Sequence, residues 1–169
     1  MIVKYIFMFF IFVISLLLGN SISQKYKDRV LELRDFKSAL NLLKAKIKYT
    51  YEPIPEIFLE ISKKFNNTVG AIFFMARERM REKTAGESWE LAMREYSFLN
   101  ISKEDKQILS GLGKLLGKTS KEGQISEIEL TEQFLDRQID KAEEERIKNE
   151  KLHKTLGGII GCALVIVLI

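Results

Sequence analysis

The chain has 169 residues, a formal net charge of +4, one cysteine and one histidine. A single Cys and a single His exclude an intramolecular disulfide and a thiolate- or histidine-rich metal cluster. Lys and Arg alternate with Glu and Asp, as in Asp136–Lys141, which indicates solvated helix faces rather than a surface for nucleic acid. We therefore expect no cofactor, no metal and no nucleic-acid partner.

The first 23 residues contain an apolar run from Tyr5 to Leu18 that is interrupted only by Ser15. With its apolar neighbours on both sides it reaches the ~20 residues that an α-helix needs to cross ~30 Å of hydrocarbon. We interpret residues 1–23 as an N-terminal transmembrane anchor. A cleaved signal peptide is the alternative, since Ser21-Ile22-Ser23 is an acceptable small-residue cleavage site.

A second uncharged apolar run extends from Leu156 to Ile169. At ~1.5 Å per residue it covers about two-thirds of the hydrocarbon thickness, and snorkelling by Lys154 would extend it. Gly157 and Gly161 give it a small-residue face suited to close helix packing. We interpret residues 155–169 as a C-terminal transmembrane anchor.

The charges beside these two segments predict their orientation. The basic residues on the side of the central domain are Lys25, Lys27, Arg29, Lys148, Lys151 and Lys154. Positively charged flanks stay in the cytoplasm during membrane insertion. Residues 24–154 are therefore expected to form a cytoplasmic domain, with both termini on the opposite side of the membrane.

The central domain begins with apolar residues at steps of three and four from Val30 to Ile47, which predicts one amphipathic helix. Pro53 ends it, because proline has no amide hydrogen and restricts the preceding residue. Pro55 suits the first position of a second helix, with Glu56 near the positive end of its dipole. The positions expected to face the core in this second helix are Ile57, Phe58, Ile61 and Phe65.

Four more helices follow. The turn at Asn66-Asn67-Thr68 precedes a third helix, and Thr84 with Glu87 has the spacing of a capping box for a fourth. Ser102 repeats that pattern with a shorter acid for a fifth helix, which is expected to end near Gly117. The last is expected from about Gln124, so the pattern predicts an all-α bundle of about six helices with transmembrane helices at both ends.

Helically spaced aromatic residues are expected to be core rather than a ligand site; they are Phe58, Phe65, Phe73, Phe74 and Trp89. Gly111-Leu112-Gly113 does not match a phosphate loop, which needs a preceding strand and a Lys-Ser/Thr pair. The acids Glu143–Glu145 belong to an exposed charged run, where desolvation cannot raise a pKa for acid–base work. We expect no catalytic residue, no enzymatic activity and no small-molecule substrate.

Several short motifs, in this order and spacing, are typical of one known family. They are Tyr49…Pro53-Ile54-Pro55-Glu56-Ile57-Phe58, Trp89, Leu112-Gly113…Leu116-Gly117, Glu122-Gly123-Gln124 and Leu156-Gly157…Gly161…Val165-Ile166-Val167-Leu168. On these motifs the chain resembles, nearly end to end, the stage III sporulation protein AB family of endospore-forming bacteria. Lys46 and Ser120 depart from the family pattern, which has an acid at the first position and Asp at the second.

The resemblance implies a fold similar to the cytoplasmic domain of the F protein, the platform protein of type II secretion and type IV pilus machines. It implies a place in the channel complex that connects mother cell and forespore, in the outer forespore membrane on the mother-cell side. It further implies a scaffold that couples a cytoplasmic secretion-type ATPase to the membrane-embedded channel.

Two charged surfaces are the candidate partner-binding sites. Glu52 and Glu56 flank a proline-stiffened corner, and a preset shape lowers the ordering cost of binding. The second surface is a ridge along one side of the last helix, formed by Arg137, Lys141, Glu144 and Lys148. Simple solvation is the competing interpretation of both surfaces. An extracytoplasmic helical adaptor with a cleaved signal peptide and a C-terminal tail anchor is the alternative function.

Overall fold

A computed structural model describes the backbone of residues 2–168, the side chains of residues 24–149 and a few further side chains. This part of the chain forms six α-helices and one 3-10 helix, without a strand, which confirms the predicted all-α fold. The helices are α1 (Ile2–Tyr49), α2 (Ile54–Lys64), α3 (Thr68–Arg79), α4 (Ala85–Glu95), α5 (Lys103–Gly111), the 3-10 helix (Leu112–Lys114) and α6 (Lys121–Leu168).

The chain divides into two compact units. The central unit is Leu31–Asp140, and the other contains the two ends of the chain, up to Val30 and from Lys141. Among the residues searched, which are those the structure describes, no helix combines the length and the apolar character that a membrane crossing requires. Most side chains of the segments 1–23 and 155–169 lie outside the described residues, so both anchors, and the domain boundaries derived from them, stay predictions.

Short local sequence signals set the helix starts in the central unit. Pro53 is the N-cap of α2, which begins at Ile54, one residue earlier than expected for Pro55. The Asn67 side chain accepts hydrogen bonds from the amides of Val69 and Gly70 at 3.1 and 3.2 Å, and so caps α3. These side chains and turns satisfy amides that have no partner within their own helix.

Both predicted capping boxes are present. In the first, the Glu87 carboxylate accepts hydrogen bonds from the Thr84 hydroxyl at 2.8 Å and the Thr84 amide at 3.1 Å. Those bonds, the hydroxyl bond foremost, lower the pKa of Glu87. In the second, the buried Asp105 carboxylate accepts from the Ser102 amide at 2.8 Å. The shorter acid therefore closes the box as well as Glu does.

Three aromatic rings form the centre of the core. The ring centroids of Phe58 and Phe73 lie 4.9 Å apart, and that of Trp89 lies 5.0 Å from Phe73. All three side chains are fully buried. The expectation was wrong for Phe74, which is 48% exposed, and Phe65 is only half-buried. Phe73 and Phe74 are adjacent on a helix, so their side chains point about 100° apart and only one can face the core.

Helices α1 and α6 run antiparallel within the central unit. Lys37 pairs with Asp136, and Lys44 pairs with Glu132 at 2.5 Å, so residue numbers rise along one helix as they fall along the other. Helix α6 begins at Lys121, three residues before the expected start. The C-terminal end of α1 and the N-terminal end of α6 therefore meet at one end of this unit.

The expected fifth helix is shorter than predicted. Helix α5 ends at Gly111, the chain tightens into the 3-10 helix at Leu112, and Gly117 then adopts a left-handed backbone with φ of 73°. A Cβ atom on Gly86 would lie 2.0 Å from the Gly113 carbonyl oxygen, so α4 and the 3-10 helix meet backbone to backbone. Gly86 and Gly113 therefore serve helix packing, because only glycine permits this approach.

Candidate partner-binding surfaces

The six predicted partner-binding residues are all exposed; they are Glu52, Glu56, Arg137, Lys141, Glu144 and Lys148. The first three belong to the central unit, and the last three belong to the unit formed by the chain ends. The ridge as a whole therefore stays a sequence prediction. The surfaces that the structure describes in detail are those of the central unit.

An ion cluster joins the corner between α1 and α2. The Lys46 ammonium lies 2.6 Å from Glu60 Oε2 and 3.3 Å from Glu52 Oε1. The hydrogen bond that Lys46 donates to Glu60, with a smaller contribution from Glu52, raises the pKa of Lys46. Glu52 is thus engaged within the chain, whereas the Glu56 carboxylate has no polar side-chain partner among the described residues.

Lys46, where the family pattern has an acid, is the cation at the centre of this cluster. An acid at this position would repel the two carboxylates, whereas Lys46 forms an attractive pair with each of them. Because all three side chains remain in contact with water, these pairs orient the corner more than they stabilise the fold.

Two tyrosines project from the corner into solvent. Tyr49 is 75% exposed and Tyr51 is completely exposed. The ammonium groups of Lys48 and Lys121 lie 5.3 and 5.7 Å from the ring centroids of Tyr49 and Tyr51, respectively. Tyrosine is enriched at the energetic centres of protein interfaces, because it adds a large rigid area and a polar tip. The corner therefore offers aromatic anchors beside charges of both signs.

Tyr51 was not among the candidate residues that the sequence indicated, and Tyr49 entered only through the family motif. A usable signal was present: Tyr51 lies in a proline-flanked segment between two helices, where no helical periodicity can bury it.

The corner is a fixed shape. The Thr50 amide and hydroxyl both donate to the Lys46 carbonyl, at 2.9 and 2.8 Å, which closes the last turn of α1. On the other side the amides of Glu56 and Ile57 donate to the Pro53 carbonyl at 3.0 and 3.2 Å. The segment between is short and contains a proline, so few conformations remain to be lost when a partner binds.

Arg137 lies on a mixed surface between α5 and α6. Its guanidinium carbon is 5.9 Å from the ring centroid of Phe134, which is 40% exposed. Both side chains line a groove of about 320 Å3, together with Glu104 and Ile108. This predicted residue therefore stands beside exposed apolar surface, a feature of interfaces that charge spacing alone does not reveal.

Among the residues that the structure describes, no cluster of three or more His, Cys, Asp and Glu side chains is arranged to hold a metal ion.

Comparison with known proteins decides the family. Residues 4–169 match the family described as stage III sporulation protein AB. The chain belongs to this family. The resemblance found in the motifs is thereby confirmed, and membership supports a role in sporulation.

Two similar proteins illustrate the relationship. Stage III sporulation protein AB of Bacillus subtilis (strain 168) is 26% identical over 162 residues, which cover 94% of this chain and 95% of that protein. A solved structure of a stage III sporulation protein AB has a TM-score of 0.68 and 22% identity, and the match covers 72% of this chain and 98% of the other. At this identity the structural likeness shows the fold alone.

Proposed function

We propose that this chain is a non-enzymatic platform in the channel complex between mother cell and forespore, and that it docks a cytoplasmic secretion-type ATPase. Its anchors lie in the outer forespore membrane, and residues 24–154 face the cytoplasm on the mother-cell side. Family membership supports the role in sporulation. The observation that carries the docking role is the preformed corner with its solvent-exposed tyrosines.

The corner has the physical properties of a docking site. Tyr51 is fully accessible, Glu56 has no polar side-chain partner among the described residues, and Pro53 restricts the backbone between them. A partner that covers the tyrosine ring would gain apolar burial and little would be lost in ordering the loop. A partner surface with a basic group for Glu56 would complement this arrangement.

The double variant Tyr51→Ala with Glu56→Lys tests the docking role. Both residues are exposed, so we expect a change in unfolding free energy of about 0.5 kcal/mol or less. Removal of an interface anchor should weaken capture of the ATPase by roughly 30-fold and block spore formation. Glu82→Lys reverses another exposed acid outside the corner and should leave capture unchanged. Normal capture by the folded corner variant would overturn docking at this site.

Charge reversals test the two predicted surfaces separately. Glu52→Lys with Glu56→Lys should disrupt docking more than Glu56→Lys alone, because the new lysine would also repel Lys46. Arg137→Glu with Lys141→Glu tests the α6 ridge. We expect near-normal melting temperatures, measured by circular dichroism, together with weaker capture. If both double variants remain folded and form spores normally, these charges only solvate the surface.

Cysteine labelling tests the proposed location. In a Cys162→Ser background, the exposed Ser97 is replaced by Cys, the protein is produced in non-sporulating cells so that it inserts into the cell membrane, and the intact cells are treated with an impermeant maleimide. A cytoplasmic domain is expected to remain unlabelled until the cells are lysed. Labelling in intact cells would instead favour the extracytoplasmic adaptor. The mass of the mature chain then shows whether residues 1–23 have been removed, as that alternative requires.

A further inference from the structure

A groove of about 640 Å3 lies between α4 and α5, separate from the corner on which the proposed function rests. Its walls carry four cationic side chains and one carboxylate: Arg94, Lys103, Lys106, Lys114 and Glu90. Elsewhere in the central unit several cations pair with acids, among them Lys37, Lys44, Lys46 and Arg79.

Three of the groove cations are uncompensated. Arg94, Lys103 and Lys114 are exposed, and none forms an ion pair with a residue that the structure describes. Lys106 is held in place, because its ammonium donates to the carbonyls of Arg94 and Tyr96 at 3.2 and 3.4 Å, at the C-terminal end of α4. The cations repel one another in the free protein, so an anion that enters the groove relieves that repulsion.

The floor of the groove is open. Gly111 lines it, and a Cβ atom built on this residue would meet no atom within 4 Å. Because Gly111 has an ordinary right-handed helical backbone, its missing side chain is not required by the local conformation. The missing side chain leaves room for a ligand against the backbone of α5.

We propose that this groove binds an acidic segment of a partner protein, a stretch of chain that carries several Asp or Glu side chains. Each exposed ion pair is weak by itself, so a ligand with a single negative charge would not remain bound. A polypeptide can place several carboxylates beside the cations at once, and linked contacts reinforce one another. Glu90 accommodates a basic residue within such a segment.

Nucleic acid is a poorer match for the same groove. Single strands bind where aromatic side chains stack on bases along a basic channel, and no aromatic side chain lines this groove. An anionic membrane surface is flat, whereas these cations line a concavity.

The test uses the full chain in nonionic detergent and a short fluorescein-labelled peptide of alternating Glu and Ala, with its Gln–Ala counterpart as the neutral probe. Fluorescence anisotropy should show binding of the Glu peptide only, and the affinity should fall as salt is added. Lys103→Gln with Lys114→Gln should weaken binding by roughly tenfold. The matched control, Lys63→Gln with Lys64→Gln, removes two exposed lysines from α2 and should leave the affinity unchanged.

A second variant tests the groove by shape alone. Gly111→Leu fills the floor without changing the charge, and it should reduce peptide binding while the melting temperature stays the same or rises. If the two double lysine variants lost the same amount of peptide affinity, the binding would be nonspecific charge attraction, and the proposal would be overturned. Absence of peptide binding, or stronger binding to oligothymidine or to phosphatidylglycerol vesicles, would overturn it too. None of these results depends on docking at the corner.

Discussion

Trp89→Ala is expected to lower the free energy of unfolding by ~3–5 kcal/mol, as truncation of a large buried aromatic does. The Trp89 ring is fully buried and lies 5.0 and 5.9 Å, centroid to centroid, from Phe73 and Phe58. Its indole nitrogen donates a hydrogen bond to the Leu109 carbonyl at 2.7 Å, so truncation removes ring packing and leaves a buried acceptor without this donor. Chemical denaturation of the full chain, followed by circular dichroism, measures the loss.

Two companion variants separate these contributions. Trp89→Phe keeps most of the ring packing but removes the donor, and should cost about 1–3 kcal/mol. Phe98 is 77% exposed, so Phe98→Ala removes an aromatic ring outside the core and should change the stability by about 0.5 kcal/mol or less. A loss below about 1 kcal/mol for Trp89→Ala would contradict the described core.

Gly86→Ala is expected to destabilise the central unit by about 1–3 kcal/mol or more, the usual cost of overpacking. The added methyl group would lie 2.0 Å from the carbonyl oxygen of Gly113, far inside van der Waals contact. The backbone of α4 fixes the position of the Cβ atom, and the oxygen belongs to the backbone of the 3-10 helix, so the clash cannot be relieved by rotating a side chain. The fourth helix must shift away from the 3-10 helix, which disturbs the neighbouring Trp89.

Gly111→Ala is the matched control, because Gly111 lies two residues before Gly113 but faces open space. Gly111 has a helical backbone that Ala can adopt. Replacing it by Ala should stabilise the fold by about 0.4–1 kcal/mol, because Ala lowers the conformational entropy of the unfolded chain. Thermal melting of the two variants should therefore shift in opposite directions. Shifts of the same sign would show that the backbone contact between Gly86 and Gly113 does not limit the packing.

The candidate partner-binding surfaces could be predicted only in part. Glu52 and Glu56 are exposed at a corner, as expected, because two prolines within eight residues of the apolar stripe indicate a helix break. The pairing of Lys46 with Glu60 depends on how α2 folds back beside α1, which no local pattern specifies. The exposure of Tyr51, by contrast, could be inferred from its place in the proline-flanked segment between two helices.

The basic groove depends even more on packing. Arg94 belongs to α4, whereas Lys103 and Lys114 come from α5 and the 3-10 helix, and in the sequence they look like ordinary solvated charges. They line one concavity because Gly86 lets the backbone of the 3-10 helix approach α4 closely. The spacing of charges along one helix cannot indicate a surface that three helices form together.

Local patterns were enough to specify the helices, their caps and most of the core. The capping boxes at Thr84 and Ser102 and the buried Phe58, Phe73 and Trp89 depend on neighbours a few residues apart, and those distances are set by helix geometry. The early end of α5 and the surfaces between helices depend on residues that are distant in the chain. Those features depend on how whole helices pack against one another. A packed interior tolerates few arrangements, and each close contact between backbones restricts where the neighbouring helices can lie.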